Sequence, residues 1–299
     1  MSNINIKKIS IISVVRNDNY GLYQAERTTS FLKSLNEIPN KDSYELIFVE
    51  WNPINGELSF YEKYKEYFPL GVDIKIVNVS EQAHKSIYNP YNLPVFEYYG
   101  KNVGARFSDS DFLIFTNPDN IFFPQTWIDI EKNISEEYFM RLCRSDVKLV
   151  NSDIIYNTSG IETIKELMKN HYHFYQAPGY HLNEAESYEK MTEGFIWEIN
   201  HEGASGDFFG VSKQNYNKIK GYREYWTYGG FDGIICRDCK SIGLKQFILP
   251  KYSVHIDHSR PHLSTTILTD LNLQNYNTED WGLNNIGGVS VTNYYVKNK

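Results

Sequence analysis

The apolar positions fall into short β-branched runs separated by polar clusters and amphipathic stretches. Ile9-Ser-Ile-Ile-Ser-Val-Val15 predicts a buried strand that stops at the polar cluster Arg16 to Tyr20. Phe31, Leu32 and Leu35 at helical spacing predict a helix over 23–35, ended by Pro39 and Asn40. Residues 44–49 read as a second buried strand, closed by Glu50-Trp-Asn-Pro53. A helix over 58–68 leads to a third strand at 72–79. A helix over 95–107, despite Gly100 and Gly104, leads to a fourth strand, Phe112-Leu-Ile-Phe115, which runs into Thr116-Asn-Pro-Asp-Asn120.

Four alternations of strand and helix in this space predict a layered α/β fold with a mainly parallel sheet. Such sheets bind ligands beyond the carboxyl ends of their strands. Three strands end in polar residues there, and a parallel sheet would bring Asp18, Glu50 and Asp119 to one edge. The second half is less regular. Helices are expected around 125–134 and 161–172, a short strand at 206–211, and a helix after Gly229-Gly-Phe-Asp232 to about 241. A last strand over 245–256 ends in His255-Ile-Asp-His258. The sequence beyond Arg260 is rich in Asn and Thr, with weak periodicity.

With 41% hydrophobic and 22% charged residues, the 299-residue chain has the make-up of a globular protein with a sizeable core. A net charge of -7 argues against a nucleic-acid surface. Three cysteines cannot close a disulfide framework, which points to a reducing, cytoplasmic setting. Cys236 and Cys239 read as two thiols on one helical face, since no second Cys pair exists to complete a zinc site. His171 and His173 have a spacing that does not join them on a helix, so they read as ordinary residues. No run approaches the ~20 apolar residues of a membrane span.

Several strings, in order, resemble the GT-A class of nucleotide-sugar glycosyltransferases, in particular family-2-like sequences. They are Ile12-Ser-Val-Val-Arg-Asn-Asp18, Val49-Glu-Trp-Asn-Pro53, Lys101-Asn-Val-Gly-Ala-Arg106, Phe112 to Asp119, Gly206-Asp-Phe208, Gly229 to Asp232 and His255 to His258. The resemblance covers roughly residues 8–260 and is nearest to bacterial and large-DNA-virus members, some of them rhamnosyltransferase-like. It implies a GT-A, Rossmann-like layered fold with helices on both faces of a mainly parallel central sheet. It divides the chain into a nucleotide-sugar-binding half at 1–124, an acceptor-binding and catalytic half at 125–265, and a C-terminal tail at 266–299. The activity implied is inverting transfer of a sugar from a nucleotide-diphosphate donor, UDP-sugars first, to a glycan or lipid-linked acceptor.

Mn²⁺ or Mg²⁺ would neutralise the diphosphate leaving group in such an enzyme. The family's Asp-x-Asp motif reads Asn117-Pro118-Asp119 here, so Asp119 is the expected metal residue, and the first carboxylate is missing. An Asx-turn closing the strand is the plain alternative for Asp119. His255 or His258 would complete the metal shell; strand alternation puts them on opposite faces, so one is expected to serve, with His258 better placed. The donor-binding set implied is Val15, Arg16, Asp18, Glu50, Asn102, Arg106 and Asn117. Asp232 is the expected general base, although an Asp before a helix is also a favoured N-cap, and Asp207 is the second choice. Two rivals stand beside this reading. A sugar nucleotidyltransferase would want a Gly-rich loop near the first strand, where only Gly21 is found. A non-catalytic carbohydrate-binding protein on the same fold is favoured by Asn117.

Overall fold

The computed structural model describes residues 8–148, 172–176, 193–198, 201–203, 205–225, 233–259 and 276–296. Four parallel strands form its centre: β1 (Ile9–Val15), β2 (Tyr44–Trp51), β3 (Asp73–Val79) and β4 (Phe112–Phe115). Beyond β4 the sheet continues through β9 (Phe209–Ser212), β6 (Tyr138–Lys148), β10 (Lys245–Asp257) and β5 (Asn120–Ile121). β7 (Tyr172–Gln176) pairs with β6, and β8 (Phe195–Ile196) with β10. The order is β11-β3-β2-β1-β4-β9-β6-β10-β5, where β11 is Val289–Tyr295. The parallel block is thus joined by a second half in which β9 runs antiparallel to both β4 and β6.

Strand alternation sorts the apolar side chains onto two faces. On one face Ile9, Ile11, Val15, Leu46 and Phe48 pack against helices α1 (Gln24–Leu35), α2 (Phe60–Tyr64) and α5 (Pro124–Asn133). On the other, Ile12, Val49, Trp51, Leu113 and Phe115 meet α3 (Glu81–Lys85), α4 (Glu97–Phe107), α6 (Lys213–Lys218) and α7 (Ile234–Ser241). Cys236 and Cys239 are buried together on α7, as two thiols on one helical face.

At the amino ends of the central strands, opposite the edge where ligands are expected, a buried carboxylate ties the layers. Glu45 accepts from the Ser10 and Ser110 hydroxyls at 2.6 and 2.7 Å and from the Asp109 amide at 2.8 Å, with Lys75 Nζ at 2.8 Å. Burial alone would raise its pKa, but these donors, Lys75 foremost, outweigh that and bring it down to about 2.

Three departures from the sequence reading have physical causes. The helix expected at 58–68 is confined to Phe60–Tyr64: Ser59 caps its start by accepting from the Glu62 amide, and beyond Tyr64 the chain tightens to a turn in which the Tyr67 amide bonds the Tyr64 carbonyl. β6 was not legible because Arg141, Arg144 and Asp146 interrupt its apolar pattern; Arg141 and Asp146 are buried and Arg144 is half-buried, each against partners. The region 266–299, expected to be a tail, contains β11, which pairs antiparallel with β3 along its whole length. Its mostly exposed Ser, Thr, Asn and Tyr side chains hide a strand at the sheet margin from any hydrophobic pattern. The helix expected at 161–172 falls outside the described residues except for Tyr172, which begins β7.

Two details position the site. β10 is bulged against β6 between Ile248 and Tyr252, with Pro250 in the interval, where a residue without an N–H costs no ladder bond. On the other side, α4 lies almost on top of β1. A Cβ on Gly104 would sit 2.4 Å from Ile12 Cγ2, and one on Gly100 2.7 Å from Val14 Cγ2. Gly104→Ala is therefore expected to lower the melting temperature. Alanine gains about 1 kcal/mol in helix propensity, but overpacking against a β-branched strand residue costs typically about 1–3 kcal/mol. Calorimetry of the variant checks this; a melting temperature at or above wild type would show that α4 can lift without cost.

Candidate active site

Segments far apart in sequence meet beyond the carboxyl end of β4. Asn120 and Ile121 of β5 pair with His255 and Val254 of β10, and the Ile256 amide donates to the Asp119 carbonyl at 3.0 Å. This lays the loop after β4 along the far end of β10. Asp119 Oδ2 then lies 3.8 Å from His255 Nε2 and 3.1 Å from His258 Nε2. The expectation that only one histidine can face the site is corrected here. β10 ends at Asp257, so His258 has left the strand and alternation no longer governs it.

Each imidazole is oriented through its other nitrogen. His255 Nδ1 is 2.8 Å from Asp146 Oδ1, and His258 Nδ1 is 2.8 Å from the Ser259 carbonyl. Arg27, buried on α1, donates from Nη1 to Asp119 Oδ2 at 2.9 Å, from Nε to the Leu22 carbonyl, and from Nη2 to the Tyr20 carbonyl. It binds the loop after β1 to Asp119. The same loop covers His258, with the Tyr20 ring at 5.3 Å between centroids. Gly21, at φ +71°, lies so close that a Cβ there would fall 2.3 Å from His258 Nδ1.

Burial by itself would push the Asp119 carboxyl up. The neighbouring His255 charge, the His258 hydrogen bond and Arg27 overcome this and hold it well below the usual carboxylate range. His255 is shifted the other way. Burial would lower it, but Asp119, the Asp146 hydrogen bond and Asp207 raise it. Asp119, His255 and His258 each offer one ligand atom, and these atoms lie within 4.8 Å of one another. One carboxylate oxygen and two imidazole nitrogens, with the Nδ1 positions already engaged, fit a divalent cation.

The other expected residues divide into two groups. Asn117 and Asp207 lie beside the cluster: Asn117 and Asn120 donate to Asp207 Oδ1 at 3.3 and 3.2 Å, and Arg144 Nη1 pairs with Asp207 Oδ2. Val15 ends β1, and Arg16 and Asp18 follow at the same edge, paired at 2.7 Å. Asp18 also accepts from the Tyr20 amide, and Arg16 Nε donates to the Asn52 carbonyl.

Three residues face elsewhere. Glu50 turns under α2, 2% exposed, where it accepts from the Phe60 amide at 2.8 Å at the start of that helix. Asn102 is fully buried and spends its side chain on protein. It accepts from the Tyr216 hydroxyl and Tyr222 amide, and donates to the Tyr222 carbonyl and Glu224. Arg106 donates to the Trp281 and Glu279 carbonyls, with its guanidinium 4.3 Å over the Trp281 ring. Neither reaches a ligand-binding edge. Asp232, with Gly229 to Phe231, lies outside the described residues, as does His171.

Sequence reasoning missed Arg27, Arg144 and Asp146. The Arg-x-Asp spacing at 144 and 146 is an alternation signal, but only once the segment is known to be a strand. Arg27 carries no signal, since one arginine on an amphipathic helix is ordinary.

No family model and no curated protein sequence matches the chain. Solved structures match it by shape. The crystal structure of S. aureus TarS 1-349 superposes with a TM-score of 0.50 at 13% identity, covering 83% of this chain and 60% of that one. A second S. aureus TarS crystal structure gives 0.52 at 14%, covering 84% and 37%. At such identities the likeness is one of fold alone. The chain has the GT-A fold. It spans well under two thirds of the TarS structures, 60% and 37% of their lengths. A mannosyltransferase, PcManGT from Pyrobaculum calidifontis in complex with GDP-Man and Mn²⁺, gives 0.48 at 12%, over 87% and 59%. Among the described residues no helix is long and apolar enough to cross a membrane.

The environment of Asn102 yields a test. Asn102→Ala strands several buried polar groups, each costing about 1–3 kcal/mol, so its melting temperature should fall by at least several degrees while Mn²⁺ affinity is retained. A ligand-contacting Asn102 would show the opposite pattern, with a wild-type melt and weakened nucleotide binding.

Proposed function

We propose that the chain is a metal-dependent glycosyltransferase that moves a sugar from a nucleotide-diphosphate donor, a UDP-sugar first, to a glycan or lipid-linked acceptor. The observation that carries this reading is the meeting of Asp119, His255 and His258 beyond the parallel strands of a GT-A fold. Asp119, His255 and His258 would hold Mn²⁺ or Mg²⁺, which when bound neutralises the diphosphate as the glycosidic bond breaks. Val15, Arg16, Asp18 and Asn117 stand at the same edge for the donor. Arg27 keeps Asp119 ionised and placed without using any of the histidine nitrogens.

An inverting reaction needs a carboxylate to take the acceptor hydroxyl's proton as that oxygen attacks the anomeric carbon, while the bonding pair leaves with the diphosphate. Asp207 is unsuited to this. It is 4% exposed, and although burial would raise its carboxyl, the Arg144 charge outweighs that and lowers it. The base is therefore assigned to Asp232, which follows Gly229-Gly230 and precedes α7.

A thermal-shift screen of nucleotide sugars with and without Mn²⁺ tests the reading as a whole. A cognate donor at a hundredfold excess over Kd adds about 2.7 kcal/mol of stability. Asp119→Ala should keep its fold and lose the metal-dependent part of that shift. If no donor raises the melting temperature of the wild type in the presence of Mn²⁺, the assignment fails.

Asp232→Asn should bind donor and metal as wild type does, yet transfer sugar at least ~10²-fold more slowly. The N-cap of α7 is Gly233, with no side-chain cap bond, and not Asp232 as the sequence suggested, so the melt should change little. Single-turnover transfer at the wild-type rate would remove Asp232 from the chemistry.

A further inference from the structure

β6 and β10 run parallel, in a register that sets Asp146 directly opposite His255. Both side chains are buried, 7% and 3% exposed, and Asp146 Oδ1 meets His255 Nδ1 at 2.8 Å. A carboxylate can only accept, so the proton of the neutral ring lies on Nδ1 and the lone pair on Nε2. That is the nitrogen turned toward Asp119. Asp146 is itself held. Arg144 Nη2 donates to its Oδ2 at 3.0 Å, Arg144 Nε lies 2.8 Å from its Oδ1, and Nη1 of the same guanidinium pairs with Asp207. One arginine thus fixes two carboxylates, Asp146 and Asp207.

We propose that Asp146 is a positioning residue that fixes the tautomer and orientation of His255, so that Nε2 presents its lone pair to the Asp119 side of the site, with Arg144 holding Asp146 in place. His255 would otherwise be free to rotate or to carry its proton on Nε2, and either change removes a nitrogen donor from the group. Buried imidazole and carboxylate on adjacent strands form a rigid pair, since neither can be replaced by water at that depth. The part of the proposal that concerns a metal rests on the glycosyltransferase reading; the part that concerns the ring does not.

The test separates the two. Long-range ¹H–¹⁵N spectra of the metal-free, histidine-labelled protein in mildly alkaline buffer should show His255 protonated on Nδ1. In Asp146→Ala the resonance should move to a mixture of tautomers or to the Nε2–H form. Calorimetry with Mn²⁺ alone should give a 10–100-fold weaker affinity for this variant, the usual range for loss of such an outer partner. Asp146→Asn keeps an acceptor and loses the charge, so it should hold the wild-type tautomer and bind Mn²⁺ with intermediate affinity. A folded Asp146→Ala with the wild-type tautomer overturns the proposal. Should that variant not fold, wild-type Mn²⁺ affinity in Asp146→Asn does so instead. If the wild type binds no Mn²⁺, the metal reading falls, and the spectra still decide whether Asp146 governs the ring.

Discussion

The site exists because two residues of one loop join the end of a strand more than a hundred positions away. Asn120 and Ile121 pair with His255 and Val254, and the Asp119 carbonyl takes the Ile256 amide. Without that short antiparallel contact, Asp119 would end β4 as an ordinary loop acid and the two histidines would end a remote strand. The contact is made by backbone groups, so it places the side chains without consuming them. Its geometry is fixed in turn by β10 lying beside β6, which carries the carboxylate behind His255.

Charge balance in this region is local and nearly closed. Two arginines, Arg27 and Arg144, face three carboxylates, Asp119, Asp146 and Asp207, with two imidazoles between them. Burying anions is costly unless each is paired and hydrogen-bonded. Here every carboxylate has a cationic or amide partner, which explains how such a polar cluster can sit at the carboxyl edge of a sheet whose neighbouring strands are packed on both faces.

Much of the first half was legible in the sequence because its strands are buried on both faces and read as continuous apolar runs. β1 and β4 have the limits that the runs predict. The second half resisted for a physical reason. β6 must contribute polar side chains to the site, so it lacks the hydrophobic signature of a central strand, and β11 lies at the margin, where solvent removes that signature. Asp119 and both histidines could be named from the order of motifs. Which way Glu50, Asn102 and Arg106 point could not: one residue of strand register turns Glu50 from one face to the other, and Asn102 and Arg106 lie on α4, whose rotation about its axis only packing fixes. The partners of the site, Arg27, Arg144 and Asp146, come from three elements whose proximity only the folded chain reveals.

The bulge around Pro250 has a consequence for the length of β10. Ile248 stands opposite Arg141, and Tyr252 opposite Cys143, so β10 spends two more residues than β6 across the same interval. Two is an even number, and side chains alternate with a period of two. The insertion therefore slides the distal half of β10 along its neighbour by roughly 7 Å without turning it over. Residues beyond the bulge keep the facing they would have had without it, but lie one pleat short of where regular pairing would carry them, so His255 stands opposite Asp146 and not Lys148. The segment acts as a vernier: its length in whole pleats sets how far His255 and His258 reach past the sheet, and a change by a single residue would swap the inner and outer faces of everything that follows.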